Sequence, residues 1–292
     1  MHLDPILLLV QGLNGVQLGV MLFLMASGLT LVFGVMNLLN LAHGSMYMMG
    51  AYLAAALQQR TGSFLLALVL ALPATFLIGM IVEAVAMRRL YDRDHLDQVL
   101  VTFGFILCFN ELVRILWGPQ ALFMALPDGL SGYVSILPGV IYPVYRLVII
   151  GSGLLVALLL YLLVMKTRLG MLIRAGASHR EMVGSLGVNI KLLYTVLFGI
   201  GSALAGLAGM MAGPILSIES GMGDPVLILA LVVIVIGGLG SIRGALLASI
   251  MVGVADTFGR ILLPPALASM VIYLLMAAIL FWRPKGLFSA NG

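Results

Sequence analysis

Three polar side chains, Asn37, Asn40 and His43, follow one another at a spacing of three residues within an apolar part of the chain. If this stretch is helical, the three side chains fall on one face. Amide and imidazole groups exchange hydrogen bonds with a passing polar solute, and in lipid they are costly unless they face protein or water. The spacing therefore indicates either a solute path or side chains that cap a broken backbone. We expect no metal site, because one histidine with two amides is a poor ligand set.

A second polar stretch, rich in glycine, interrupts the apolar pattern in the C-terminal half of the chain. Unwound backbone at membrane depth is tolerated only where it is buried in protein or lines a cavity. Broken helices at corresponding places in two halves mark the solute path in many transporters. The candidate path residues are Asn37, Asn40, His43, Gly44, Gly237, Gly238, Gly240 and Ser241.

A polar island, at about residues 166–191, lies between two apolar runs. Its sequence predicts a short helix that Ser178 caps, with Glu181 at the spacing of a capping box. Gly187 is expected to end that helix in the left-handed conformation. Surrounding arginines predict a cytoplasmic location, so the helix is interpreted as a docking element for a soluble partner. The candidate coupling residues are Ser178, Arg180, Glu181 and Gly187.

The elements that position these residues are membrane helices. The chain has 292 residues, of which 62% are hydrophobic and 9% are charged, with a mean hydropathy of +1.19. This composition predicts an all-α, polytopic transmembrane helix bundle with about eight or nine membrane segments, including broken helices, within one domain covering 1–292. The apolar runs are 6–33, 36–57, 64–87, 98–116, 146–165, 191–213, 226–239, 245–263 and 268–282.

The basic residues set the expected orientation, because loops rich in lysine and arginine stay in the cytoplasm. Their clusters place the C-terminus in the cytoplasm, and loops 117–145 and 214–225 and the N-terminus outside. The net charge of +4 needs no nucleic acid as a partner, since these clusters account for it. The clusters are Arg88, Arg89 and Arg93; Lys166, Arg168, Arg174 and Arg180; and Arg283 and Lys285.

Other features of the sequence have two interpretations each. Small residues recur in run 191–213 from Gly199 to Gly213, and they indicate close helix packing or a contact between two such membrane subunits. The pairs Glu111–Arg114 and Asp256–Arg260 have helical spacing, and they indicate local ion pairs or a charged external vestibule that meets a delivery protein.

Enzymatic chemistry is not expected, because the chain contains no nucleophile elbow, no His-Glu-x-x-His and no phosphate-binding P-loop. The single cysteine, Cys108, excludes an internal disulfide and a thiolate metal cluster. We therefore expect no catalytic residue, no metal and no cofactor in this chain. If ATP drives the protein, another subunit binds and hydrolyses it.

Four segments resemble motifs of the permeases of branched-chain amino acid ABC importers. Residues 28–44 read GLTLVFGVMNLLNLAHG, similar to the family's GLTLIFGVMNxxNFAHG, and residues 237–244 read GGLGSIRG, similar to GGxGSxxG. Residues 174–187 resemble the coupling loop, in which Glu-Ala-Ala-x-x-x-Gly keeps its glutamate and glycine while Met182 and Val183 replace the alanines. Residues 283–288 read RPKGLF, similar to the terminal RPxGLFG, with Ser289 in place of the last glycine.

This resemblance implies the fold of a type II ABC importer permease, of LivH-like size, in the inner membrane. It implies a second, non-identical permease, two cytoplasmic ATPases on the coupling helices, and a periplasmic binding protein that delivers leucine, isoleucine or valine. Urea, short amides and aromatic acids are alternative solutes, since relatives move them with similar permeases. An ion-coupled secondary transporter is the alternative class, although the broken segments offer His43 and Arg243 but no carboxylate.

Overall fold

The apolar runs fold as helices, because a helix satisfies its backbone groups within one segment of a membrane. The computed structural model describes residues 5–91 and 93–288, without the side chains of residues 180, 181, 265 and 266. The helices are α1 (Pro5–Met36), α2 (His43–Thr61), α3 (Phe64–Val85), α4 (His95–Trp117), α5 (Val144–Lys166), α6 (Arg168–Ser185), α7 (Ile190–Ala212), α8 (Gly223–Gly237), α9 (Ile242–Leu262), α10 (Pro265–Ala268) and α11 (Met270–Trp282).

The predicted membrane bundle is confirmed. Among the described residues, 6 helices are long and apolar enough to cross a membrane, namely α1, α3, α4, α5, α7 and α9. The helices α8 and α11 are apolar but shorter. The more polar α2 is buried along its first three turns and packs against α7 and α3.

The first apolar boundary differs from the prediction, which began a second run at residue 36. Helix α1 continues to Met36, and the chain then breaks until α2 begins at His43. Asn37 takes a left-handed conformation with a φ of 51°, and its backbone N–H still donates to Phe33 O at 2.9 Å. Asparagine tolerates this conformation better than most residues, which explains why α1 ends here.

The helix of the polar island begins earlier than predicted, and it is kinked next to the predicted start at Ser178. Helix α6 begins at Arg168, and Thr167 caps it by accepting a hydrogen bond from Gly170 N at 3.0 Å. Ser178 lies inside α6 and donates to Arg174 O at 3.2 Å, so its hydroxyl is engaged by the preceding turn. A kink at His179, with φ −149° and ψ 83°, follows directly and leaves a short second half.

The predicted end of this helix is confirmed. Gly187 has a φ of 84° and donates to Gly184 O at 3.0 Å, while Val188 N donates to Val183 O at 3.4 Å. These two bonds form a Schellman motif, which ends α6 and turns the chain into α7.

The loop between α4 and α5 contains a β-hairpin that the helix-only prediction omitted. Strand β1 (Tyr133–Leu137) pairs antiparallel with β2 (Val140–Pro143) across a Pro138-Gly139 turn. The signal was present in the sequence, because two short runs rich in β-branched residues flank a turn dipeptide. Arg146 and Tyr142 donate to Asn14 Oδ1, so the hairpin end is tied to the first half of α1.

The core forms where α7 lies against α2 and α3 and where α1 lies against α7 and α9. Small residues make these contacts possible: a Cβ at Gly209 would lie 1.9 Å from Tyr47 O, and one at Gly206 would lie 2.8 Å from Thr75 Oγ1. The small-residue face of run 191–213 is therefore used for packing within the chain, as in the first of its two interpretations.

The two predicted ion pairs are present. Arg114 Nη1 lies 2.8 Å from Glu111 Oε1, and Arg260 Nε lies 2.8 Å from Asp256 Oδ2. The first pair is exposed, whereas Asp256 is buried. Both pairs bring opposite charges together along one helix, as the local interpretation predicted, and Asp256 Oδ1 has no hydrogen-bond partner among the described residues.

Candidate functional site

A cavity of about 1830 Å³ opens at the end of the bundle that carries the basic clusters. Its walls come from the C-terminal half of α1, the start of α4, the C-terminal half of α5, α6 and the connection between α8 and α9. The polar and charged side chains that line it are Thr30, Asn37, Tyr91, Arg93, Asp94, His95, Gln98, Tyr161, Arg174, Ser178, Ser241 and Arg243.

The two broken segments meet at this cavity. Gly34, in the last turn of α1, approaches Gly240 so closely that a Cβ at Gly34 would lie 3.1 Å from Gly240 Cα. Asn37, Gly240 and Ser241 consequently line the same cavity. Ser241 also caps α9, because its hydroxyl accepts from Gly244 N at 3.1 Å. Three of the candidate path residues are thus together on one wall.

The other polar residues of the first break lie behind that wall. His43 is buried, and its Nε2 lies 3.3 Å from Met25 O. Gly44 packs on the start of α8, where a Cβ would lie 2.8 Å from Gly223 O. Asn40 is 1% exposed, and neither amide atom of its side chain has a hydrogen-bond partner among the described residues. A buried amide without a partner is costly, so Asn40, like Ser45 just after it, is a polar group with capacity left for another molecule.

The second break is closed by the C-terminal segment, whose Leu287 and Phe288 also line the cavity. Leu287 N donates to Ile236 O at 2.8 Å, and Phe288 N donates to Gly237 O at 3.1 Å. Gly238 touches Phe288 O, where a Cβ would lie at 2.0 Å. Gly237 packs against Gly244, since a Cβ at Gly237 would lie 2.5 Å from the Gly244 carbonyl carbon. Gly237 and Gly238 therefore hold the backbone of the cavity wall and do not line it.

Arginines give the cavity a positive rim. The guanidinium of Arg243 lies over the ring of Tyr161, 5.7 Å from the ring centre. Arg174, on α6, donates to Val164 O near the end of α5. Arg93 also lines the cavity, next to Asp94 in the chain. The field at this end attracts anionic groups, including a carboxylate. Among the described residues, no three His, Cys, Asp or Glu side chains could hold a metal ion.

Helix α6 forms part of the cavity wall. Ser178 lines the cavity, and a Cβ at Gly176 would lie 3.6 Å from Leu193 Cδ2 and 3.8 Å from Val35 Cγ1. Gly187 lies at the exposed turn after the helix. The side chains of Arg180 and Glu181 lie outside the described part of the structure.

A buried carboxylate near the cavity was missed by the sequence analysis. Glu83 is 0% exposed, and its oxygens meet four donor atoms. Tyr91 Oη lies 2.5 Å from Oε1 and Thr195 Oγ1 lies 2.5 Å from Oε2. Arg88 Nε and Nη2 lie 3.4 Å and 3.1 Å from the two oxygens. The signal was a lone acidic residue inside an apolar run, five positions before an arginine. Burial and the hydrogen bond to Glu83 both raise the pKa of Tyr91, so its hydroxyl stays protonated and donates.

Comparisons with known proteins agree with this architecture. The chain is 30% identical to the high-affinity branched-chain amino acid transport system permease protein BraD of Pseudomonas aeruginosa, over 95% of this chain and 94% of BraD. It is 28% identical to the corresponding permease protein LivH of Escherichia coli, with coverage of 95% and 94%. A probable LivH of Methanocaldococcus jannaschii is 27% identical, with coverage of 91% and 88%.

The model of the family described as the permease component of branched-chain amino acid transport systems matches residues 12–280. The motifs around Asn37, Gly240 and Gly187 all lie within that range. The match shows a transport component, with multiple apolar helices, and not an enzyme. The chain therefore belongs to the family of branched-chain amino acid ABC transporter permeases.

Proposed function

We propose that this chain forms one side of the translocation path of an ABC importer for leucine, isoleucine and valine. A second, non-identical permease completes the path, two cytoplasmic ATPases dock on the α6 helices, and a periplasmic binding protein delivers the solute. ATP is bound by the ATPases, and this chain carries no cofactor. The relatives BraD and LivH are named as branched-chain amino acid permeases, which supports this solute class.

The contact between α6 and the cavity carries the proposal. Ile173, Arg174 and Ser178 line the cavity, while Gly176 packs on α1 and α7. A soluble protein that moves α6 would therefore move the wall of the cavity directly. An ion-coupled carrier needs no such helix, because its driving ion binds within the membrane.

The path is proposed to run along Asn37, Gly240 and Ser241, past the first break with Asn40, His43 and Gly44 and the second with Gly237 and Gly238. The basic clusters and the cavity mouth lie at one end, and the β-hairpin with loops 117–145 and 214–225 at the other. The positive-inside rule makes the cavity end cytoplasmic, so the N-terminus is proposed to lie outside and the C-terminus inside.

The turn at Gly187 tests the coupling role of α6. A Cβ at Gly187 meets no atom within 4 Å, so substitution acts only through the left-handed backbone. Valine opposes that conformation by roughly 1–2 kcal/mol, whereas asparagine visits it routinely. We expect Gly187→Val to assemble with its partners but to transport less solute per ATP hydrolysed, and Gly187→Asn to resemble the unaltered protein.

The measurement uses the complete complex in liposomes, with binding protein, ATP and radiolabelled leucine, and records uptake and ATP hydrolysis separately. Unlabelled isoleucine, valine, urea, acetamide and phenylalanine compete in parallel. Uptake without ATP, driven by an ion gradient, would contradict the importer. Competition by urea, acetamide or phenylalanine, but not by isoleucine and valine, would reassign the solute.

A further inference from the structure

Glu83, Arg88, Tyr91 and Thr195 form a buried cluster, called here the Glu83 cluster, between the coupling helix and the cavity. We propose that this cluster positions the start of α7 against the cavity wall and so transmits the movement of α6 to the translocation path. The proposal rests on the proposed function, because it assigns the route by which docking at α6 reaches the cavity.

The cluster joins three separate elements. Glu83 lies in the last turn of α3, Arg88 and Tyr91 follow in the connection to α4, and Thr195 lies in the second turn of α7. Arg88 Nη2 also donates to Thr195 Oγ1 at 2.8 Å, so arginine, threonine and carboxylate form a closed set of contacts. Both carboxylate oxygens carry two contacts each, which uses the capacity of the group. The relative position of α3 and α7 is therefore fixed by directional bonds as well as by packing.

The start of α7 follows α6 after a four-residue connection anchored by Gly187, at residues 186–189. It also packs against α6 directly, through Leu193 and Gly176. Movement of α6 therefore reaches Thr195 by a short covalent link and by side-chain contact. Thr195 is the member of the Glu83 cluster nearest to α6 along the chain.

On its other side the Glu83 cluster reaches the cavity. Tyr91 lines the cavity, and its ring stands edge-on to that of Tyr194, with 5.3 Å between ring centres and an angle of 90°. Tyr194 Oη lies 3.4 Å from Val35 O, and Val35 lines the cavity just before the first break. The start of α7 thus contacts two parts of the cavity wall, one in α1 and one before α4.

Stability alone is a weak reason for such a cluster, because well-packed apolar residues often replace a buried ion pair without loss. Directional bonds to a carboxylate instead define discrete arrangements of the elements that carry the donors. Movement at one site reaches a second site when an element between them has discrete arrangements, and when both sites shift the equilibrium between those arrangements.

The test measures solute transported per ATP hydrolysed in the complete complex in liposomes. The variants are Glu83→Gln, Thr195→Val and Tyr91→Phe, each nearly equal in volume to the native residue. Thr75→Val is the matched control: Thr75 is buried in α3 against α7, but its hydroxyl bonds to the carbonyls of its own helix, Ala71 O at 3.1 Å and Leu72 O at 2.9 Å.

We expect the ratio to fall by roughly fivefold or more in at least one assembled cluster variant, the lower end of typical coupling between sites. The Thr75→Val ratio should stay normal. A normal ratio in every cluster variant that assembles overturns the proposal, and so does an equal fall in Thr75→Val. Tyr91→Phe removes one hydroxyl at a half-buried site, so it keeps the test decisive if Glu83→Gln does not assemble. Absence of ATP-driven leucine uptake in the unaltered complex would instead contradict the proposed function itself.

Discussion

Helices α7 and α5 have the same length and both qualify as membrane spans, but they are used in opposite ways. In the most apolar 18-residue stretch of each helix, 72% of the α7 residues are buried within the chain, whereas only 17% of the α5 residues are buried. Helix α1 resembles α7, at 78%, and α4 resembles α5, at 22%. Hydropathy does not predict the difference, since the more apolar helix of the first pair, α5, is the exposed one.

Residue size explains the difference. The buried α7 carries glycines where α2 and α3 approach it, while α5 presents large exposed side chains away from the cavity, including Leu155, Leu159 and Leu162. Lipid tails are as apolar as leucine, so apolar area alone gives no reason for two membrane helices to associate. Close contact through small residues decides which helix lies inside.

The strongest test of the role of residue size is to add one methyl group to a buried helix and one to an exposed helix. Gly209→Ala places a Cβ 1.9 Å from Tyr47 O, whereas Gly104→Ala in α4 meets no atom within 4 Å. We expect Gly209→Ala to lose roughly 1–3 kcal/mol or more through overpacking. Gly104→Ala should be neutral or stabilised by up to about 1 kcal/mol through helix propensity.

Thermal unfolding of the purified complex in detergent measures both glycine variants. The expected changes have opposite signs, so each variant is the control of the other. Equal midpoints would show that the buried and exposed helices tolerate volume alike, and the size argument would fail.

A second prediction concerns the polar interior of the buried half. Asn40→Leu removes two amide atoms that have no partner among the described residues. Removing such a group is expected to leave stability unchanged or to raise it by roughly 1–3 kcal/mol. Uptake should nevertheless fall, because the lost amide has free hydrogen-bonding capacity for a solute or its water.

Uptake and thermal midpoint are compared for Asn37→Leu, Asn40→Leu and His43→Leu in the same liposome assay. Unchanged uptake in all three variants would place the path elsewhere. A fall in uptake in proportion to a fall in the thermal midpoint would show that these groups act only by supporting the fold.

The helices and their ends could be predicted from the sequence to the extent that the signals are local. Apolar runs predicted the spans, and the glycine at position 187 predicted the left-handed turn. The first half of α6 was missed, because Thr167 and Ser178 are both capping residues and the sequence does not show that a helix already runs from Arg168 to the kink at His179. The hairpin was within reach of prediction, because Pro138-Gly139 is a local turn signal between two short β-branched runs.

The cavity wall and the Glu83 cluster could be predicted less well, because the residues that contact each other there are far apart in the sequence. Thr195 and Glu83 are separated by 112 positions, and no local pattern joins them. The two breaks were recognised as polar interruptions, but only the structure brings Gly34 to Gly240 and separates Asn37 at the cavity from Asn40 behind it. Of the eight candidate residues, Asn37, Gly240 and Ser241 line the cavity, and the role of the eight in a translocation path stays a prediction.

The prediction with the smallest expected effect on transport compares the two ends of the bundle and tests their orientation. Cys108 is exposed on α4, so Cys108→Ser is expected to leave uptake unchanged and to provide a background without thiols. Single cysteines at Ser131, near the hairpin, and at Ser178, in α6, are both at exposed positions. A membrane-impermeant thiol reagent on intact cells should label the cysteine at Ser131 and spare the one at Ser178. The reverse pattern would invert the proposed orientation.

The pairing of Leu287 and Phe288 with the end of α8 has a consequence for biosynthesis. The carbonyls of Ile236 and Gly237 receive their donors from residues made about fifty positions later in the chain. The second break therefore cannot close while α9 and α11 are still being inserted. A nascent chain interrupted before Leu287 therefore leaves two backbone acceptors beside the cavity without the donors that they have in the folded protein.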